Sequence, residues 1–65
     1  MTEQPLAIVY RNWKGEEAVR RILPRSVRWG ESAWHPGPQW LLEAFDVDKG
    51  ADRTLAFAGI LEVRP

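Results

Sequence analysis

Arg20 and Arg21 stand side by side in EAVRRILP (17–24), and Arg53 opens RTLAFAGILEV (53–63). A guanidinium is a planar fork of donors that can hold a phosphate through two hydrogen bonds at once. These three arginines therefore have the clearest capacity to bind an anionic ligand. Neighbours on a strand point to opposite faces. One of Arg20 and Arg21 is thus expected to meet an acid, either Glu16 or Glu17 nearby or Glu43 across strands, leaving the other for a phosphate. Flat aromatic surface is abundant too, with four tryptophans in 65 residues. Trp34 sits in ESAWHPGP (31–38), a loop-like stretch with two prolines and a glycine. There it would either stack on a nucleobase, a contact that tolerates any base, or fold down as a plug on the core. Trp29 and Trp34 also suit a protein interface, where tryptophan and arginine are frequent anchors.

No catalytic constellation accompanies these residues. The chain has no cysteine and one histidine, which excludes disulfides and thiolate metal sites and makes a structural zinc centre untenable. His35 has no second ligand near it and reads as an ordinary loop residue. Ser26 and Ser32 lack triad partners, and no glycine-rich phosphate loop occurs. Asp46 and Asp48 flank a turn, where aspartates cap backbone amides. The expectation is a binding protein rather than an enzyme, with no cofactor and no metal.

The elements that must position these groups are short. Residues 1–5 read as a flexible leader and 6–65 as a single domain. LAIVYRN (6–12) alternates as a strand with Leu6, Ile8 and Tyr10 on one face. WKGE (13–16) is a turn. EAVRRILP places Val19, Arg21 and Leu23 on one face and Ala18, Arg20 and Ile22 on the other, with Pro24 as strand end, edge or bulge. SVRWG (26–30) is a further short strand. QWLLEAFDV (39–47) is the strongest strand, with Trp40 expected in the core beside Leu42 and Ala44, and Leu41 and Phe45 on the other face. DKGAD (48–52) is a turn, and residues 53–63 form a last strand broken near Gly59. Four to five such strands predict an all-β fold, a small antiparallel barrel. A chain this short buries only about 60% of its unfolded surface. Its stability must come from packing, which 45% hydrophobic content can supply, or from association.

Nine basic and nine acidic residues give zero net charge, so bulk charge selects no partner. Residues 10–30 carry Arg11, Lys14, Arg20, Arg21, Arg25 and Arg28 against Glu16 and Glu17, while most of the other acids fall later. No basic segment followed by an apolar run opens the chain, and no apolar stretch approaches the ~20 residues of a membrane span. A cytoplasmic protein without membrane contact is expected.

The order of these signals resembles the WYL domain. The residues that carry the likeness are Tyr10, Gly15, Arg20 with Pro24, Trp40-Leu41-Leu42, and Arg53 with Leu55 and Ile60. Leu41 stands where the family has Tyr, and Gly59 where it often has Arg. The resemblance implies an SH3/Sm-like β-barrel, the ligand-sensing half of a bacterial transcription regulator, here standing alone. It implies a basic, aromatic face that binds single-stranded nucleic acid or a nucleotide-type effector, with Tyr10, Arg20, Arg21, Arg53 and Trp34 lining it. The alternative is an interaction module that docks on another regulator or self-associates through Trp29, Trp34 and Leu41, where Leu41 offers an apolar knob. Zero net charge and surplus aromatics favour a homodimer.

Overall fold

The computed structural model describes residues 4–32 and 35–64. Among these the fold is all-β. Strands β1 (Leu6–Arg11), β2 (Glu17–Ser32), β3 (His35–Asp46), β4 (Ala51–Ala56) and β5 (Ile60–Arg64) form one sheet, with a 3-10 turn at Phe57–Gly59. The strand order is β4-β3-β2-β1-β5, and every pairing is antiparallel. Four strands form a meander, and β5 returns to pair with β1. The edge strands β4 and β5 do not pair with each other, so the sheet remains open where a closed barrel was expected.

Two turns are written into the sequence by side chains that accept from the backbone. Asn12 Oδ1 accepts from the N–H groups of Lys14 and Glu16 at 2.9 and 3.0 Å, and Gly15 takes a φ of 83° that a Cβ would disfavour. After β3, Asp46 Oδ1 accepts from the N–H groups of Asp48 and Lys49, both at 3.1 Å.

The expected alternation holds on β1 and the first half of β2. Leu6, Ile8 and Tyr10 lie opposite Ile22, Arg20 and Ala18, so Arg20 shares the core face. Ile8, Tyr10, Ile22, Leu42, Ala44 and Leu55 form the core, with Leu6 and Ile60 packed on its margin. Pro24 does not end the strand. It sits at a register shift between Pro24 and Ser26, and β2 continues to Ser32. The two strands expected at 17–24 and 26–30 are therefore one bulged strand, bent as bulges bend strands. Most of the expected loop at 31–38 is likewise strand.

Trp40 is not in the core. The β3–β4 ladder stops at Leu41 opposite Ala56, and β1 pairs with β2 only as far as Ile22. Beyond those points β2 and β3 continue as a two-stranded ribbon, in a molecule 36 Å long by 22 and 19 Å. Trp40 lies on that ribbon opposite Trp29 and is 53% exposed. Leu41 goes the other way. It faces Ala56, next to the 3-10 turn that packs on β3, and is fully buried.

Candidate functional site: a basic groove beside the core

An open groove of about 720 Å³ lies against the core residues Tyr10 and Leu55. The β1–β2 turn brings Trp13 and Lys14 to it. The core face of β2 brings Arg20, the start of the ribbon brings Arg28, the β3–β4 turn brings Lys49, and β4 brings Arg53. The acidic residue on its wall is Asp52.

These cations are not equivalent. Arg20 donates from Nη1 to Asp46 Oδ2 at 3.2 Å, and Asp46 is 1% exposed. With its other oxygen capping the turn, Asp46 is a satisfied buried carboxylate that both shapes the β3–β4 turn and fixes Arg20. Arg20 Nε is buried without a hydrogen-bond partner among the described residues. Arg28 donates from Nε to Glu43 Oε1 at 2.9 Å, and the Thr54 hydroxyl donates to Glu43 Oε2 at 2.8 Å. Lys14 Nζ lies 5.3 Å from the centre of the Trp13 ring, a cation–π contact. The side chains of Lys49 and Arg53 make no ion pair or hydrogen bond among the described residues. Asp46 and Glu43 thus neutralise Arg20 and Arg28, which leaves Lys14, Lys49 and Arg53 against Asp52. The groove carries surplus positive charge in a chain whose net charge is zero, and such a field raises the local concentration of anions.

The residues singled out in the sequence divide accordingly. Tyr10, Arg20 and Arg53 meet at the groove. Arg21 does not. It points to the opposite face and donates from Nε to Asp48 Oδ1 at 3.1 Å. That hydrogen bond, with the attraction of the guanidinium, holds the Asp48 carboxyl below its ordinary value and raises the already basic Arg21. Neither arginine of the pair is left without an acid, and the acids are Asp46 and Asp48. Glu17 is taken by Arg11 at 3.2 Å and Glu43 by Arg28. Tyr10 is 4% exposed, and its hydroxyl accepts from the Ala56 N–H, so it serves the fold as well as the groove wall. Trp34 lies outside the described residues. Trp29 is 59% exposed and packs edge-to-face on Trp40, with ring centres 5.5 Å apart. Leu41, buried against β4, presents no surface knob.

Sequence reasoning missed Trp13, Lys14, Arg28 and Lys49 as groove residues. Lys14 and Lys49 each lie in a glycine-containing turn, and a turn residue's direction follows from the fold, not from alternation. No group of three or more potential metal ligands occurs among the described residues.

No protein-family model, curated protein or solved structure matches the chain.

Proposed function

We propose that this chain is a binding module of the WYL type that takes single-stranded nucleic acid or a nucleotide-type effector in its basic groove, as part of transcription regulation. The observation that carries the reading is the meeting of Arg20 and Arg53 with Lys14 and Lys49 beside Tyr10 and Trp13. Arginine and lysine neutralise phosphates, and aromatic rings take bases. The strand order, with β5 returning to β1 after a 3-10 turn, agrees with the small-barrel likeness, although the sheet is open. The test is a titration with a fluorescent single-stranded oligonucleotide at several salt concentrations. Binding should weaken with salt, with a slope of log K against log salt of about −0.7 per phosphate contacted. Lys49→Ala and Arg53→Ala should each flatten that slope by about one phosphate's worth. Binding that is absent at low salt, or whose slope ignores both substitutions, overturns the reading.

A second reading, self-association, is favoured by the ribbon. Val27, Trp29 and Trp40 are each more than half exposed and share one face of it. On its outer edges, β3 carries Pro38, which lacks a donor, while β2 has no proline after Pro24. The exposed apolar face and the β2 edge, which no strand covers beyond Ile22, match themselves in an antiparallel pairing, so the occupant argued for is a second copy of this chain.

A further inference from the structure

We infer that Trp13 is the base-stacking platform of the groove, and that the ligand it selects is an unpaired nucleic-acid strand with accessible bases rather than a simple polyphosphate. The inference rests on the reading of the groove as a phosphate site and adds the group that would distinguish among phosphate-bearing ligands.

Three facts single out Trp13. It lines the groove and is 58% exposed, so a large part of its ring is presented beside the surplus positive charge. Its position is fixed from below. Asn12 caps the turn through the N–H groups of Lys14 and Glu16, and the backbone closes it through Gly15 N–H to Asn12 O at 2.9 Å. The ring is thus carried on a braced turn rather than on a free loop. The third fact is Lys14, whose ammonium already lies 5.3 Å from the ring centre. The ammonium lies over one face of the ring, so a base takes the place of that ammonium or stacks on the opposite face, and either way its phosphate comes near Lys14, Lys49 and Arg53.

The other described aromatic residues do not fit this role. Tyr10 is 4% exposed and its hydroxyl is engaged by Ala56. Trp29 and Trp40 are as exposed as Trp13, but they lie on the ribbon and, like Phe45 and Phe57, are not among the residues of the groove. They are built-in controls, similar in size and exposure but differently placed.

The experiment is a cycle between protein and ligand. The full chain and its Trp13→Ala, Trp13→Phe and Trp29→Ala variants are titrated at low salt with oligothymidylate and with an abasic oligonucleotide of the same length. Circular dichroism establishes that each variant is folded. In the unaltered protein, removing the bases should cost about 5- to 150-fold in affinity, the range for one stacked base. Trp13→Ala should lose a similar factor on oligothymidylate and nothing on the abasic strand, while Trp13→Phe recovers part of the loss. Trp29→Ala should match the unaltered protein on both. Salt slopes should be the same for all variants, because stacking releases no counterions. An undiminished preference of Trp13→Ala for the base-bearing strand overturns the platform and leaves the phosphate groove standing. If the unaltered protein binds neither strand, the groove reading falls and the platform with it.

Discussion

The Tyr10 hydroxyl, on β1, accepts a 2.9 Å hydrogen bond from the backbone N–H of Ala56, at the end of β4 and 46 residues away in sequence. β1 and β4 are not neighbours in the sheet. This bond therefore spans the curl of the open sheet and ties the last residue of β4 to the core. Tyr10→Phe keeps the ring and removes the acceptor, leaving a buried N–H unpaired. The cost of such an orphan is about 1–3 kcal/mol. A chain of this length has about 3–10 kcal/mol of stability in all, at 0.05–0.15 kcal/mol per residue. Urea unfolding should show a folded variant with a clearly lower midpoint. A midpoint equal to that of the unaltered protein would mean that the bond contributes nothing.

Gly59 fits against the same tyrosine. A Cβ there would lie 2.4 Å from the Arg11 carbonyl oxygen and 2.8 Å from a Tyr10 ring carbon. The carbonyl is backbone and cannot rotate away, so Gly59→Ala must displace the 3-10 turn. A loss of about 1–3 kcal/mol is expected, as for other overpacked sites. Gly30 is the control. A Cβ there would meet only the end of the Arg28 side chain, at 2.7 Å, and that side chain can move. Gly30→Ala should change the unfolding midpoint much less than Gly59→Ala, and equal effects would contradict the packing argument.

Asp46 is buried with both carboxylate oxygens occupied, one by Arg20 and one by the turn amides. Asp46→Ala strands a guanidinium and two N–H groups together. Breaking a buried pair from one side costs about 3–5 kcal/mol, comparable with the whole stability, so this variant should be largely unfolded at room temperature by circular dichroism. Asp46→Asn retains an acceptor for the turn but loses the charge and sets an NH2 donor where Arg20 needs an acceptor. It should stay folded with an intermediate midpoint.

Much of this was legible in the sequence, and the failures have a common cause. Alternation put Leu6, Ile8 and Tyr10 on one face of β1 and Arg20 and Ile22 on one face of β2, and the β1–β2 register brings those two faces together. It failed at Trp40 because alternation says which face a residue takes, not whether another element covers that face. The ends of the β1 and β4 ladders decide coverage, and these are long-range facts. Leu41 failed for the converse reason, being covered by β4 and the turn after it. The arginines could be assigned to opposite faces, but their acids could not be chosen. Asp46 and Asp48 lie 26 and 27 residues from Arg20 and Arg21, and only the β2–β3 register brings them near. Asp46 was read as a turn cap, which it is, but the cap's second oxygen holds a groove residue.

The Arg21–Asp48 pair gives a pH signature. Asp48 has a folded-state value below its unfolded one, because Arg21 hydrogen-bonds the carboxylate. A depressed acid contributes stability that is fully present above its unfolded value, near 3.9, and is lost as pH falls through the folded value. The pair is exposed, so the contribution is small. Its clearest readout is the Asp48 carboxyl resonance. In Arg21→Ala that titration should move upward towards the ordinary aspartate range, while oligonucleotide binding should be unchanged because Arg21 faces away from the groove. A titration that does not move would show that the pair is not formed in solution.

The ribbon decides whether the chain acts alone. An isolated two-stranded hairpin is marginal in water, and the edge-to-face Trp29–Trp40 pair supplies only about 0.5–1.5 kcal/mol beyond its area. Association would add the missing cover. Each tryptophan can bury roughly 150–250 Å² at most, and both are already half covered. Together with Val27 they fall short of the ~800 Å² per partner of a standard interface. A weak dimer, populated at high micromolar concentration, is therefore expected. Sedimentation should show mass rising with concentration, and the melting temperature should rise in parallel by mass action. Trp29→Ser with Trp40→Ser should give a monomer whose melting temperature no longer depends on concentration. If the unaltered protein sediments as a monomer at high micromolar concentration with a constant melting temperature, the exposed pair does not mediate self-association.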